Sequence, residues 1–315
     1  MTDGTGRVID SRDQPPTWSG TSRSLGLLRA ARPSQWVKNC ACFAGLVFSG
    51  KLFDPKAVVG ALLAFVGFSL AASACYLMND VFDREADRRN PKKRGRAIAA
   101  GLVSVRLALG TSALLLVGSM FVTLALPWSC RFILAIYALM SLAYSYRLKQ
   151  SVLLDVQILA IGFVLRVLHG VYAVEVLPSP WIVLCMFFLA LFLGFAKRRG
   201  ELNETEGEDF SRRPVLGKYR IAILDQFLAM SAVMAILCYA LYTVIGRPGN
   251  ATLVVTVPLV VYAMFRYLFL IVVHGAGEAP ERLVISDGVS FAIVVLWLTL
   301  CVAILYFNLN LFIDH

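Results

Sequence analysis

Asn79, Asp80, Asp83 and Asp87 are the residues of this chain whose types and spacing best suit chemistry. At about 100° per residue, a helix running through them would gather three carboxylates and an amide within an arc of about 100°. Arg84 and Arg88 would flank that arc. Oxygen ligands suit a hard divalent cation such as magnesium, and guanidinium groups suit phosphate, so the layout fits a magnesium diphosphate. A solvated run of mixed charge is the plainer reading of such a segment. Its position decides between them, because the cluster starts where a long apolar run, Ala57 to Met78, stops.

The elements that must position this cluster are set by composition. Hydrophobic residues make up 58% of the 315 and charged residues only 16%, against about 25% charged in a soluble globule. With a mean hydropathy of +0.72, the chain reads as an all-α polytopic membrane protein of about nine spans, each near the roughly 20 apolar residues a crossing needs. The expected spans are Trp36 to Ser49, Ala57 to Met78, Val105 to Leu126, Phe132 to Tyr146 and Val152 to Val174. Trp181 to Ala196, Ile221 to Ile245, Leu253 to Val273 and Val289 to Phe312 complete the set. Of the 30 Lys and Arg residues, 24 fall on the side of the amino terminus, counting Lys38, and four on the other: Lys51, Lys56, Arg131 and Arg247. That bias puts the amino terminus and the acidic cluster in the cytoplasm. The net charge of +10 is then a matter of topology and of anionic headgroups and substrates; it is not a nucleic-acid signal. Residues 1–31 read as a disordered cytoplasmic tail, and residues 32–315 as the membrane domain.

Other polar groups break the apolar pattern. Asp155, Gly162, Arg166 and His169 share one helical stripe in the fifth span; a cation there faces a cavity or a buried ion pair, and not lipid. His169 reads as an interior histidine. After the sixth span comes a basic run, Lys197, Arg198 and Arg199, followed by Glu201; it either anchors a helix end or grips bare phosphate opposite the acidic cluster. Long polar loops after spans two and six suggest two four-helix halves plus a ninth helix. Lys38 and Asn39 lie deeper than the interfacial Arg32 and Trp36, and within reach of a cavity. The seven cysteines show no metal-ligand spacing and read as packing residues.

The run Asn79-Asp80, Asp83 and Asp87 resembles the signature of the UbiA superfamily of intramembrane prenyltransferases, and so do Asn90-Pro91 with Lys92, Lys93, Arg94 and Arg96, and Tyr144-Ser145 with Lys149. The resemblance implies a helical bundle around a central cavity, capped by cytoplasmic loops, with magnesium on Asn79, Asp80, Asp83 and Asp87. The usual second aspartate-rich motif is missing, and Lys197, Arg198 and Glu201 stand in its place. In that respect, and in Arg32 to Asn39, the chain is similar to the branch that transfers phosphoribose from 5-phosphoribosyl 1-diphosphate to a polyprenyl (decaprenyl) phosphate for arabinan cell-wall synthesis. The site implied is Asp80, Asp83, Asp87, Lys149 and Arg166 in catalysis. Lys38, Asn39, Asn79, Arg84, Arg88, Lys93, Arg94, Tyr144, Tyr146, Asp155, Lys197, Arg198 and Glu201 are the expected substrate-binding residues. The setting implied is the inner (plasma) membrane, with self-association into a homo-oligomer left open. Two rivals remain: a conventional prenyltransferase using Glu201, Glu204, Glu206, Glu208 and Asp209 in place of the missing motif, and a cation transporter with polar groups in several spans.

Overall fold

The computed structural model of the chain describes residues 23–91, 93–204, 216–246, 251–274, 283, 286–307 and 309. Every regular element among them is helical. In order these are α1 (Arg23–Ala31), a 3-10 segment (Pro33–Phe43) that runs into α2 (Ala44–Phe48), α3 (Pro55–Phe82), α4 (Arg84–Arg89), α5 (Val105–Val122) and α6 (Trp128–Tyr146). Then come α7 (Leu154–Ala173), α8 (Pro180–Glu204), α9 (Ile221–Ile245), α10 (Val257–His274) and α11 (Gly288–Tyr306). Eight of the described helices are long and apolar enough to cross a membrane, and the chain is an integral membrane protein.

Two expectations are corrected here. The first of the nine spans, Trp36 to Ser49, is not a long helix: Pro33 opens a 3-10 stretch and only Ala44–Phe48 is α-helical. This stretch lies close against α7. A Cβ on Gly170 would fall 1.8 Å from the Cys42 carbonyl oxygen, and one on Gly45 would fall 2.7 Å from Val171 Cα. The backbones therefore touch, as small residues allow between membrane helices. The second correction concerns the tail. Its last nine residues form α1, because Leu27 and Ala30 pack on Leu77, Ala97, Ile98 and Val103; residues 1–22 lie outside the described residues.

Local signals set the helix ends. Asp54 caps α3 by accepting from the Lys56 amide (2.9 Å), with Pro55 in the first turn, the arrangement preferred at helix starts. Ser104 and Asp287 cap α5 and α11 in the same way. The central helices are α3 and α7, each 61% buried along its apolar window, whereas α11 at 17% is peripheral. The most extensive helix pairings, α3 with α5 and α8 with α9, occupy corresponding positions after the second and sixth expected spans.

Candidate active site

The acidic cluster sits where α3 ends. Asp83 has φ −87° and ψ 0°, which interrupts the regular helix, yet the Asp83 amide donates to the Asn79 carbonyl (2.9 Å) and the Asp87 amide to the Asp83 carbonyl (2.7 Å). The ladder thus carries across the break, and Asp80 and Asp87, both 3% exposed, come within reach of one cation. Arg96 Nη1 donates to Asp80 Oδ1 (3.2 Å) and to Asp87 Oδ2 (2.8 Å). Arg32 Nη2 donates to the same Asp80 oxygen (2.5 Å), and its guanidinium lies over the Tyr76 ring. Arg32 holds φ 53° to do this, a left-handed conformation uncommon outside glycine. Lys149 donates to Asp83. Three carboxylates from one helical stretch thus meet three cations from three separate segments. Beside them Arg29, Arg32 and Arg96 line a cleft of about 190 Å³ against Asp80.

These oxygens are the right donor type for magnesium. Arg96 Nη1 stands between Asp80 and Asp87 where a shared cation would stand. Among the described residues no three His, Cys, Asp or Glu side chains converge as a metal site, so a metal would take the place of these cations.

Below the cluster, polar groups continue down the inner face of α3. Trp36 Nε1 donates to Ser73 Oγ (2.9 Å), and Asn39 Nδ2 to Ser69 Oγ (3.0 Å). Arg166 Nε donates to Asn39 Oδ1 (2.8 Å) and Nη2 to the Tyr137 hydroxyl (3.2 Å). Its guanidinium also faces the rings of Phe68, Tyr137 and Phe163. The whole stripe of Asp155, Gly162, Arg166 and His169 is buried inside the bundle. His169 stands edge-on to Phe68, and neither ring nitrogen has a hydrogen-bond partner among the described residues.

The basic run lies elsewhere than expected. Lys197, Arg198, Arg199 and Glu201 are on the last turns of α8, not in a loop. Arg198, 2% exposed, donates through Nε to Asp155 Oδ2 (2.7 Å) and through Nη1 to Glu201 (2.5 Å). The Tyr219 hydroxyl donates to the other Asp155 oxygen (3.0 Å) and accepts from the Leu153 amide (2.8 Å). Burial pushes the Tyr219 phenol up to about 12, and the neighbouring Asp155 carboxylate adds to the rise. Asp155, Arg198 and Glu201 therefore form a strut between α7 and α8, and Arg198 does not present its guanidinium to solvent. Arg199 ties α8 to Asp225 of α9 (2.6 Å) and to the Ile271 carbonyl of α10 (3.1 Å).

The remaining candidates spread around the cluster. Arg88 Nε holds the Ala99 carbonyl (2.9 Å) and Nη1 holds Glu85 (3.1 Å), which braces the loop after α4. Tyr146 is 74% exposed and packs edge-on to Phe82 on the outer surface. Tyr144 lies within electrostatic reach of Arg198. Asn79, Arg84, Lys38, Lys93, Arg94 and Lys197 are half-buried. Lys92, Glu206, Glu208, Asp209 and the Glu204 side chain lie outside the described residues. Spacing gave no signal for Arg32, 48 residues before Asp80; the basic run around Arg96 was visible, though not its pairing. Tyr219 carried no signal at all.

The UbiA prenyltransferase family profile matches residues 40–283. The decaprenyl-phosphate phosphoribosyltransferase of Mycolicibacterium smegmatis is 34% identical over 315 residues, covering 95% of this chain and 98% of the relative. That of Corynebacterium glutamicum is 30% identical over 308 residues, covering 94% and 90%. The solved structure of a UbiA homolog from Archaeoglobus fulgidus bound to GPP and Mg2+ superposes with a TM-score of 0.67 at 19% identity, over 88% of this chain and 99% of the other.

Proposed function

The chain belongs to the UbiA prenyltransferase family, and from that premise we propose that it transfers a 5-phosphoribosyl group from 5-phosphoribosyl 1-diphosphate to a polyprenyl (decaprenyl) phosphate, releasing diphosphate. The observation that carries the reading is similarity along nearly the full length to enzymes named for that transfer. The charge pattern agrees with it. A donor with a diphosphate at one end and a phosphate at the other needs both oxygen donors for a metal and cations for phosphate. Asp80, Asp83 and Asp87 offer the first; Arg29, Arg32 and Arg96 around the cleft beside Asp80 offer the second.

The acceptor phosphate is largely ionised near neutrality, so its oxygen attacks the ribose C1 without a general base. The C1–O bond to the diphosphate breaks, and the diphosphate leaves with the electron pair. Asp80, Asp83 and Asp87 would hold magnesium, whose chemistry is to neutralise charge developing on the leaving diphosphate. Arg32 and Arg96, released from carboxylates, turn to phosphate oxygens, and Lys149 beside Asp83 orients the reacting ends. The cation excess on the loops beside Asp80 supports a reading in which that end of the bundle faces the cytoplasm and the protein sits in the inner membrane.

Labelled 5-phosphoribosyl 1-diphosphate and polyprenyl phosphate, offered to purified protein with and without magnesium, test the reading. Magnesium-dependent label in the lipid phase is expected, with a loss of about 10²–10³-fold in Asp83→Asn, the scale for removing one electrostatic contact to developing charge. No label, with transfer from a prenyl diphosphate to an aromatic acceptor instead, would replace it with the conventional family reaction.

A further inference from the structure

The end of the bundle opposite Asp80 holds a second cavity, of about 520 Å³, within the ~300–1,000 Å³ common for small-molecule sites. It lies where α2, the start of α8 and the far ends of α7 and α9 meet. Gly60 of α3 lies against Ala173, next to Val171 at this end of α7, and Asp80 follows Gly60 by 20 residues of α3, a separation of roughly 30 Å along the axis. The cavity is therefore distinct from the acidic cluster.

Its wall is mostly apolar, with Phe48, Val171 and Ile182 among the lining residues. Leu177, also in the lining, is 88% exposed and gives the mouth an apolar edge. The polar groups are few and uneven in charge. Lys51 Nζ donates to the Val174 carbonyl (3.0 Å), and an ammonium has two further hydrogens to give. Glu175, the carboxylate of the lining, pairs with Lys56 (3.1 Å), whereas the Lys51 ammonium is held by a neutral carbonyl. Ser179 Oγ is buried and has no hydrogen-bond partner among the described residues. Such a hydroxyl costs about 1–3 kcal/mol until an oxygen or donor meets it. Lys51 and Lys56 are two of only four cations on this side of the spans, so a cation here is not explained by loop composition.

We propose that this cavity binds one anionic phospholipid from the adjoining leaflet, its phosphodiester on Lys51 and Ser179 and an acyl segment against Phe48, Val171 and Ile182. A free phosphate would leave the apolar wall without a partner; a zwitterionic lipid would bring a phosphodiester already screened by its own ammonium, and so a weaker counterion for Lys51.

Native mass spectrometry of the full-length protein in detergent, titrated with phosphatidylglycerol, phosphatidylcholine or inorganic phosphate, tests this. One phosphatidylglycerol is expected to be retained in preference to phosphatidylcholine. Lys51→Gln should lower its affinity about tenfold, a change of ~1.4 kcal/mol, and Lys51→Arg should restore it. Ser179→Ala should weaken it about threefold, and inorganic phosphate should not compete. Circular dichroism confirms that each variant is folded. Equal retention of phosphatidylglycerol by wild type and folded Lys51→Gln would overturn the proposal, as would equal retention of both lipids. Competition by inorganic phosphate would reassign the cavity to a small free anion.

Discussion

Replacing Arg198 with Met distinguishes a strut from a phosphate ligand. The substitution keeps most of the side-chain volume and removes the charge, which leaves Asp155, 0% exposed, with the Tyr219 hydroxyl as its side-chain partner among the described residues. At the surface such a loss costs about 0–1 kcal/mol. With exposures of 2% and 0% for the two side chains, the buried value applies, roughly 3–5 kcal/mol, because one partner's charge stays behind in a low dielectric. The assay is reversible unfolding in mixed micelles, with donor KM measured on the folded fraction. Expected is a loss of about that size, with KM changed by less than about twofold. The triple variant Asp155→Leu, Arg198→Met, Glu201→Gln should recover to within about 1–2 kcal/mol of wild type, because no buried charge then remains. A stability loss below ~1 kcal/mol together with a donor KM raised tenfold or more would refute the strut and return Arg198 to the substrate.

Further expectations follow from single contacts. Gly170→Ala should prevent folding or depress the unfolding temperature sharply, since its Cβ would overlap the Cys42 carbonyl, whereas Gly110→Ala, with nothing within 4 Å, should be neutral or stabilising by about 0.5–1 kcal/mol; thermal unfolding compares them. Arg96→Met leaves Asp80 and Asp87 without their shared cation, and should lower transfer by about tenfold or more, with part of the loss recovered in Arg96→Lys. The raised Tyr219 pKa has a definite sign: the folded state keeps a proton that the unfolded state has lost, so stability falls between pH 10 and about 12. Tyr219→Phe should show a shallower fall over that window when unfolding temperature is followed against pH.

Legibility in the sequence depended on how local the signal was. Helices crossing a membrane announce themselves by length and apolarity. The acidic cluster was legible because its four polar residues lie on one helical stretch, where spacing converts directly into geometry. The stripe from Asp155 to His169 was legible for the same reason, although its partners, Arg198 on α8 and Asn39 with Tyr137, come from other segments. Arg32 illustrates the limit. As a cation beside a proline and a tryptophan it reads as an interfacial anchor, and only the packing of α1 and the 3-10 segment along α3 carries it to Asp80. For the basic run after the sixth span the sequence left a helix-end anchor and a phosphate grip both open; α8 continues past Ala196 to Glu204, which puts the run on the helix end and turns Arg198 inward.

The pairing at the end of α3 also has an electrical consequence. Asp80, Asp83 and Asp87 carry three negative charges; Arg32, Arg96 and Lys149 carry three positive ones. The assembly is neutral as it stands, so anything bound there enters by exchange and not by simple attraction. A lone divalent cation would strand guanidinium groups facing it, and a lone diphosphate would face buried carboxylates. Supplied together, each offers the displaced groups a new counterion. Titrations with one component alone should therefore give weak, strongly salt-dependent binding, while the second component added at saturation should tighten the first, a mutual dependence that calorimetry reads directly.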